Sequence, residues 1–189
     1  MPGKDMLRKT AAIVVDIQGD FMSLRDGSLQ VPGTDEAYHR LVAEAVQALR
    51  RAGCLIVATQ DWHPQDHVSF YTTHGGRAPF EVIAIDGREQ VLWPPHCVED
   101  TDNADILVDG ELLHAVVRKG SRRLHDSYSG FQDDGGHPTG LHDLLQSEGV
   151  ERLIILGIAT DYCVRATAMD AVALGYETVV PSSLCRGVA

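Results

Sequence analysis

Basic side chains are scarce in this sequence: Lys and Arg together number 16 against 27 Asp and Glu, for a formal net charge of −11. A chain this acidic, with no long basic stretch, cannot neutralise a phosphate backbone by releasing counterions, so nucleic acid is not expected as a partner. The only basic cluster, Arg118, Lys119, Arg122 and Arg123, reads first as a solvated loop. No run reaches the ~20 apolar residues of a membrane-spanning helix. The polar stretch Met1–Thr10 also lacks the apolar segment and cleavage pattern of a secretory signal. Neither a membrane partner nor export is expected. Cysteines are few and dispersed, four in all at 54, 97, 163 and 185 without a C-x-x-C pair, which excludes a zinc ribbon or a dense disulfide framework and suits a reducing cytoplasm. Aromatic residues make up only 6%, so each one is informative.

What is present is ordinary for a globular chain. The 189 residues are 44% hydrophobic and 23% charged, which fits one compact domain. At this length folding buries roughly 70% of the extended chain's surface, so no covalent staple is needed.

Three times the chain passes from an apolar helical stripe through a glycine into a β-rich run. The first stripe is Tyr38, Leu41, Val42, Ala45 and Leu49, with Thr34 as N-cap, Asp35 and Glu36 in the first turn and Gly53 past the end, leading into Leu55–Gln60. The second runs from Thr139 through Leu141, Leu144 and Leu145 to Gly149 and into Leu153–Ile158. The third covers Val164, Ala168, Ala171 and Leu174, stops at Gly175 and leads to Thr178–Val180. With Ala11–Ile17 and Ala115–Arg118 these make five short apolar strands. Such strands predict an α/β, doubly wound, mainly parallel sheet of five or six strands with helices on both faces. Residues 62–114, rich in Pro, Gly and His with little periodicity, form a long irregular segment of the kind that carries function.

Ligands of open parallel sheets bind beyond the carboxyl ends of the strands. Asp16 ends the first strand, Asp61 follows the second, Lys119 the third, and Cys163 lies just past the fourth, so four complementary groups fall on one rim. Any one of them alone could be structural, but together they suggest chemistry. Cys163 is the natural nucleophile. The Ala159-Thr160-Asp161 turn opens a helix whose positive end favours a thiolate, Lys119 offers a fixed cation and Asp16 a proton acceptor. A second constellation joins Asp61, His63 and His67 to His96, which follows a stiffening Pro94-Pro95 pair. One carboxylate with up to three imidazoles suits Zn, Fe or Mn with open positions. The histidines at 39, 74, 114, 125, 137 and 142 have no partner pattern and read as surface or structural.

Five segments, in order, carry a family resemblance: VDIQGDF from Val15, DWHPQDHVSF from Asp61, LWPPHCV from Leu92, Lys119-Gly120 with DSYSGF from Asp126, and GIATDYCV from Gly157. In these the chain resembles the nicotinamidase/pyrazinamidase group of the isochorismatase-like cysteine hydrolases, over nearly its whole length. The resemblance implies a single hydrolase domain over 1–189 with a metal-binding insertion at about 61–114. It implies a catalytic triad of Asp16, Lys119 and Cys163 and a divalent metal on Asp61, His63 and His96, zinc first and Fe or Mn as alternatives. His67 matches a position that ligates the metal in some relatives and not in others, and it is kept outside that ligand set. It further implies a cis peptide between Ile158 and Ala159, an oxyanion hole from the Ala159 and Cys163 amides, and pocket walls from Phe21, Trp93, Tyr128 and Tyr162. The implied reaction converts nicotinamide, a small-molecule substrate, to nicotinate and ammonia through a thioester in the cytoplasm, with a homo-oligomer left open. The chain departs from the family at Gly19, where asparagine is common, and at Ala189, where relatives run on into a further helix. Rival readings are a hydrolase of isochorismate or an N-carbamoyl compound, which would not need Asp61, His63 and His96 to grip a pyridine. A metal-binding or thiol redox module is the other, and it leaves Lys119 and Asp16 unexplained.

Overall fold

The computed structural model describes residues 9–189, so of the polar stretch Met1–Thr10 all but Lys9 and Thr10 lies outside the described residues. In chain order the elements are β1 (Thr10–Val15), α1 (Glu36–Ala52), β2 (Leu55–Asp61), β3 (Val82–Ile85), β4 (Arg88–Val91), β5 (Ala115–Lys119), α2 (Leu141–Ser147), β6 (Arg152–Ile158), α3 (Arg165–Ala173), β7 (Glu177–Val179) and β8 (Cys185–Arg186). The main sheet has six strands in the order β5-β2-β1-β6-β7, with β8 also on β6. Its pairings are parallel throughout. The sixth strand, β8, is two residues long, too short to leave a pattern in the sequence. It pairs Gly157 and Ile158, beyond the point where β7 leaves the edge of β6.

Both faces are covered, as near-continuous apolar strands require. Ala12 and Val14 of β1 pack towards Tyr38, Val42 and Val46 of α1, while Ala11, Ile13 and Val15 pack towards Leu141, Leu145 and Ala171 of α2 and α3. The buried stripe of α1 uses Val46, and Leu41 is exposed, so the helix is rotated slightly from the expected face. Its N-cap is Asp35, which accepts the Tyr38 N–H at 3.0 Å, a contact worth about 1 kcal/mol. Thr34 is instead buried, its hydroxyl donating to Val31 O at 2.6 Å. Among the described residues no helix is long and apolar enough to cross a membrane.

Register positions the rim. Asp61, last in β2, pairs directly with Lys119, last in β5. The segment between them forms a β3–β4 hairpin and several single helical turns. It is pinned back beside the rim by the Trp93 N–H to Ser69 O at 2.7 Å and the His63 N–H to Cys97 O at 2.9 Å. The helix expected to start at Val164 is preceded by a π-helical turn, Thr160–Val164, which carries Cys163.

Candidate active site

Asp16 leaves β1 with φ of 51°, a left-handed conformation that Asp tolerates better than most residues. Its carboxylate is fully buried, and Thr59 of the neighbouring strand donates to Oδ1 at 2.6 Å. Oδ2 lies 3.0 Å from Lys119 Nζ yet accepts no aligned hydrogen bond from any described residue. Lys119, 1% exposed, also donates to Ser127 O at 2.9 Å, to Cys163 Sγ at 3.5 Å and to Asp61 Oδ1. Ligand-type atoms of Asp16, Asp61 and Cys163 fall within 4.8 Å of one another. One ammonium thus sits among two carboxylates and a sulfur.

Charge states follow from burial and neighbours. Burial opposes the charge on Lys119, but Asp16 and Asp61 outweigh it and hold the ammonium well above the usual lysine range. For Asp61 burial is likewise outweighed by Lys119 and then His63, which keep the carboxylate ionised far below its ordinary range. Asp16 goes the other way: burial raises its pKa beyond what Lys119 can offset. Cys163 corrects the expectation of a standing thiolate. Burial lifts its pKa well above the ordinary thiol value, and the nearby carboxylates of Asp16 and Asp61 add to it against Lys119. The resting sulfur is a thiol beside a carboxylate whose proton affinity is itself raised.

Asp61, His63 and His96 present ligand atoms within 4.8 Å of one another. His63 Nδ1–H donates to Gly120 O at 2.9 Å and His96 Nδ1–H to Pro94 O at 2.8 Å. A carbonyl only accepts, so in each neutral ring the lone pair is on Nε2, the arrangement that outer hydrogen bonds impose on metal-binding imidazoles. Burial, and then His63, depress His96 to about 4, so it stays neutral. His63 differs: burial is outweighed by Asp61, which holds its pKa above the usual imidazole range, and a divalent ion would displace that proton, leaving two imidazoles and an ionised carboxylate as a donor set that fits such an ion. Both ring nitrogens of His67 have other partners: Nε2–H donates to His125 O at 3.1 Å and Nδ1 faces Ser69 Oγ at 2.7 Å. Gly120 makes the His63 contact feasible, since a Cβ there would lie 2.3 Å from the ring's Cε1.

Beside these groups lies a cavity of about 140 Å³ whose walls include Phe21, Trp93, Tyr128 and Tyr162. An apolar cavity of about 150 Å³ is known to hold one benzene ring, so one six-membered ring is the natural occupant. Trp93 and Tyr162 meet edge to face at 5.2 Å, and Trp93 Nε1–H donates to Tyr128 Oη at 3.1 Å. His96, Asp61, Ala159 and Cys163 reach the same space, and the Ile158–Ala159 peptide is cis.

The sequence alone assigns no role to several residues here. Gln18 accepts the Asp61 N–H through Oε1 at 2.8 Å and donates to Asp61 O at 2.8 Å, fixing that backbone. Asp126 lines the cavity as a buried carboxylate, held by Gln90 Nε2–H at 2.9 Å. Both lie inside family-like segments, which was the available signal. Phe80 and Val188 also line the cavity from segments with no such signal.

Residues 10–189 match the isochorismatase domain family. The chain is 39% identical over 181 residues to a nicotinamidase of Escherichia coli K12, covering 94% of this chain and 83% of that protein. It superposes on the yeast nicotinamidase bound to the inhibitor nicotinaldehyde with a TM-score of 0.87 at 32% identity, covering 95% of this chain and 89% of that one. A pyrazinamidase of Pyrococcus horikoshii in complex with zinc gives 0.78 at 37% identity, covering 96% and 88%.

Proposed function

This chain belongs to the isochorismatase family, and from that premise we propose that it is a metal-dependent nicotinamidase that hydrolyses nicotinamide to nicotinate and ammonia. The observation that carries the reading is the convergence of Asp16 and Lys119 on Cys163, which lines a ring-sized aromatic cavity that Asp61 and His96 also border.

Cys163 acts as the nucleophile. Its thiol proton passes to Asp16 as the sulfur adds to the carboxamide carbon, so the buried sulfur need not carry a charge at rest. The amides of Ala159 and Cys163 are assigned to the developing oxyanion, each such donor contributing on the order of 3 kcal/mol. Asp16 returns the proton to the leaving nitrogen, ammonia departs and a thioester remains. Asp16 then takes a proton from water, whose oxygen attacks the thioester, and gives it to the departing sulfur, restoring the thiol and releasing the acid, which loses its remaining proton to solvent as nicotinate. Lys119 holds Asp16 in place and offsets negative charge at both steps. Phe21, Trp93, Tyr128 and Tyr162 orient the flat ring and keep bulk water out. Asp61, His63 and His96 would hold a divalent ion, with zinc the first assignment, and that ion would supply Lewis acidity and an anchor for the pyridine nitrogen. The insertion at about 61–114 is thereby the metal-binding part of one hydrolase domain. Four free cysteines support a reducing, cytoplasmic setting.

Ammonia release from nicotinamide, measured with and without a chelator, tests this directly. Wild-type protein should turn over and lose activity on chelation. Cys163→Ala should keep its metal and release no ammonia. Failure of metal-loaded wild type to cleave nicotinamide would end the reading.

A further inference from the structure

Away from the cavity, the loop between β5 and α2 folds two imidazoles and a carboxylate together. His125, Asp133 and His137 present ligand-type atoms within 4.8 Å of one another, and the two rings lie 4.8 Å apart at 64°. The histidine side chains are 29% and 42% exposed, whereas that of Asp133 is 7% exposed. Gly135 passes so close beneath them that a Cβ there would sit 2.5 Å from His125 Nδ1 and 2.8 Å from His137 Cε1. The rings therefore close over a residue that has to be glycine. Asp133 accepts the backbone N–H groups of Gly135 and His137, each at 2.9 Å. Although burial pushes its pKa up, these bonds and the His137 ring pull it below the usual carboxylate range, so Asp133 is an anion.

Two guanidiniums border the cluster. Arg88 Nη1 is 3.0 Å from His125 Nδ1 and Arg122 Nε is 3.4 Å from Asp133 Oδ2. Neither closes it. Arg122 is 57% exposed and free to turn to water, and Arg88 keeps an ion pair with Asp134. A polar cavity of about 280 Å³, bordered by Ser121, Arg122, Asp133 and His137, supplies an entry path.

We propose that His125, Asp133 and His137 form a second divalent-metal site, for zinc or a similar first-row transition ion, independent of Asp61, His63 and His96. Two imidazoles and one carboxylate are the donor set such ions take. A bound ion would tie together the ends of the 125–137 loop, which includes Asp126, Ser127 and Tyr128 of the cavity wall.

Zinc titrated into the full chain, with bound metal counted after equilibrium dialysis, tests the site. One equivalent should be deleted by His125→Gln and by His137→Gln and survive His96→Ala. Any equivalent belonging to the cavity site should show the opposite pattern, so the two assignments stand or fall separately. Circular dichroism of the two glutamine variants confirms that they are folded before the count is taken. If all zinc bound by the wild type remains bound in both of them, the second site does not exist.

Discussion

Lys119 Nζ lies 3.0 Å from Asp16 Oδ2, and both side chains are fully shielded from water. The pair decides which of its members can be removed without unfolding the protein. Asp16 is a base whose folded pKa is raised above 3.8, chiefly by burial. Such a carboxylate costs stability as pH rises from 3.8 through its folded value, because the unfolded state gives up the proton first. Asp16→Asn should lower kcat by about 10²- to 10⁴-fold, the usual worth of a general base. At pH 7 its thermal midpoint should stay close to that of the wild type, because Lys119 keeps Asp61 as a buried counter-ion. A large loss of stability would show that Asp16 is held for the fold.

Lys119→Met should behave differently. It strands Asp16 and Asp61 without their counter-ion, and breaking a buried pair this way costs about 3–5 kcal/mol in denaturant titrations. Lys119 lowers the Asp16 pKa, so its loss raises it. Residual activity needs Asp16 deprotonated, and the acid limb of its pH–rate profile should therefore move to higher pH. An unmoved limb would remove Asp16 from the role of base.

Gly120→Ala tests how His63 is held. The added methyl meets the ring at 2.3 Å from a backbone with φ of 66°, so the His63 Nδ1–H to Gly120 O bond cannot persist unchanged. Loss of such an outer hydrogen bond costs about 10- to 100-fold in metal affinity. Dialysis against a graded chelator should show that drop, and wild-type affinity would mean the bond is dispensable.

Asp161 governs the far wall of the cavity. Its carboxylate accepts the Val188 N–H at 3.0 Å and the Ala189 N–H at 3.0 Å, and Val188 lines the cavity. Hydrogen bonds to a charged group contribute about 1.5–3 kcal/mol, so Asp161→Ala should raise KM for nicotinamide roughly tenfold while kcat changes less. An equal fall in kcat with KM unchanged would point to disturbance of the Thr160–Val164 turn.

Much of this site was legible along the chain. The apolar strands are fully buried runs such as Ala11–Val15, and the strand-end rule then puts Asp16, Asp61, Lys119 and Cys163 on one rim. Helix caps were harder to read. Thr34 and Asp35 are both good N-cap types, and only the packing of Thr34 against Val31 O leaves the cap to Asp35.

The sequence by itself determined the layering, the parallel sheet and the inventory of reactive groups, because these depend on local periodicity and on which residues end each strand. Only tertiary structure decided their states. Whether His67 can ligate turns on the carbonyl of His125, which group accepts the His63 Nδ1 proton turns on Gly120, and whether Cys163 rests as thiol or thiolate turns first on burial and then on Lys119, Asp16 and Asp61. Those partners are far apart in the chain, and their effect depends on distance and burial, which residue order does not contain.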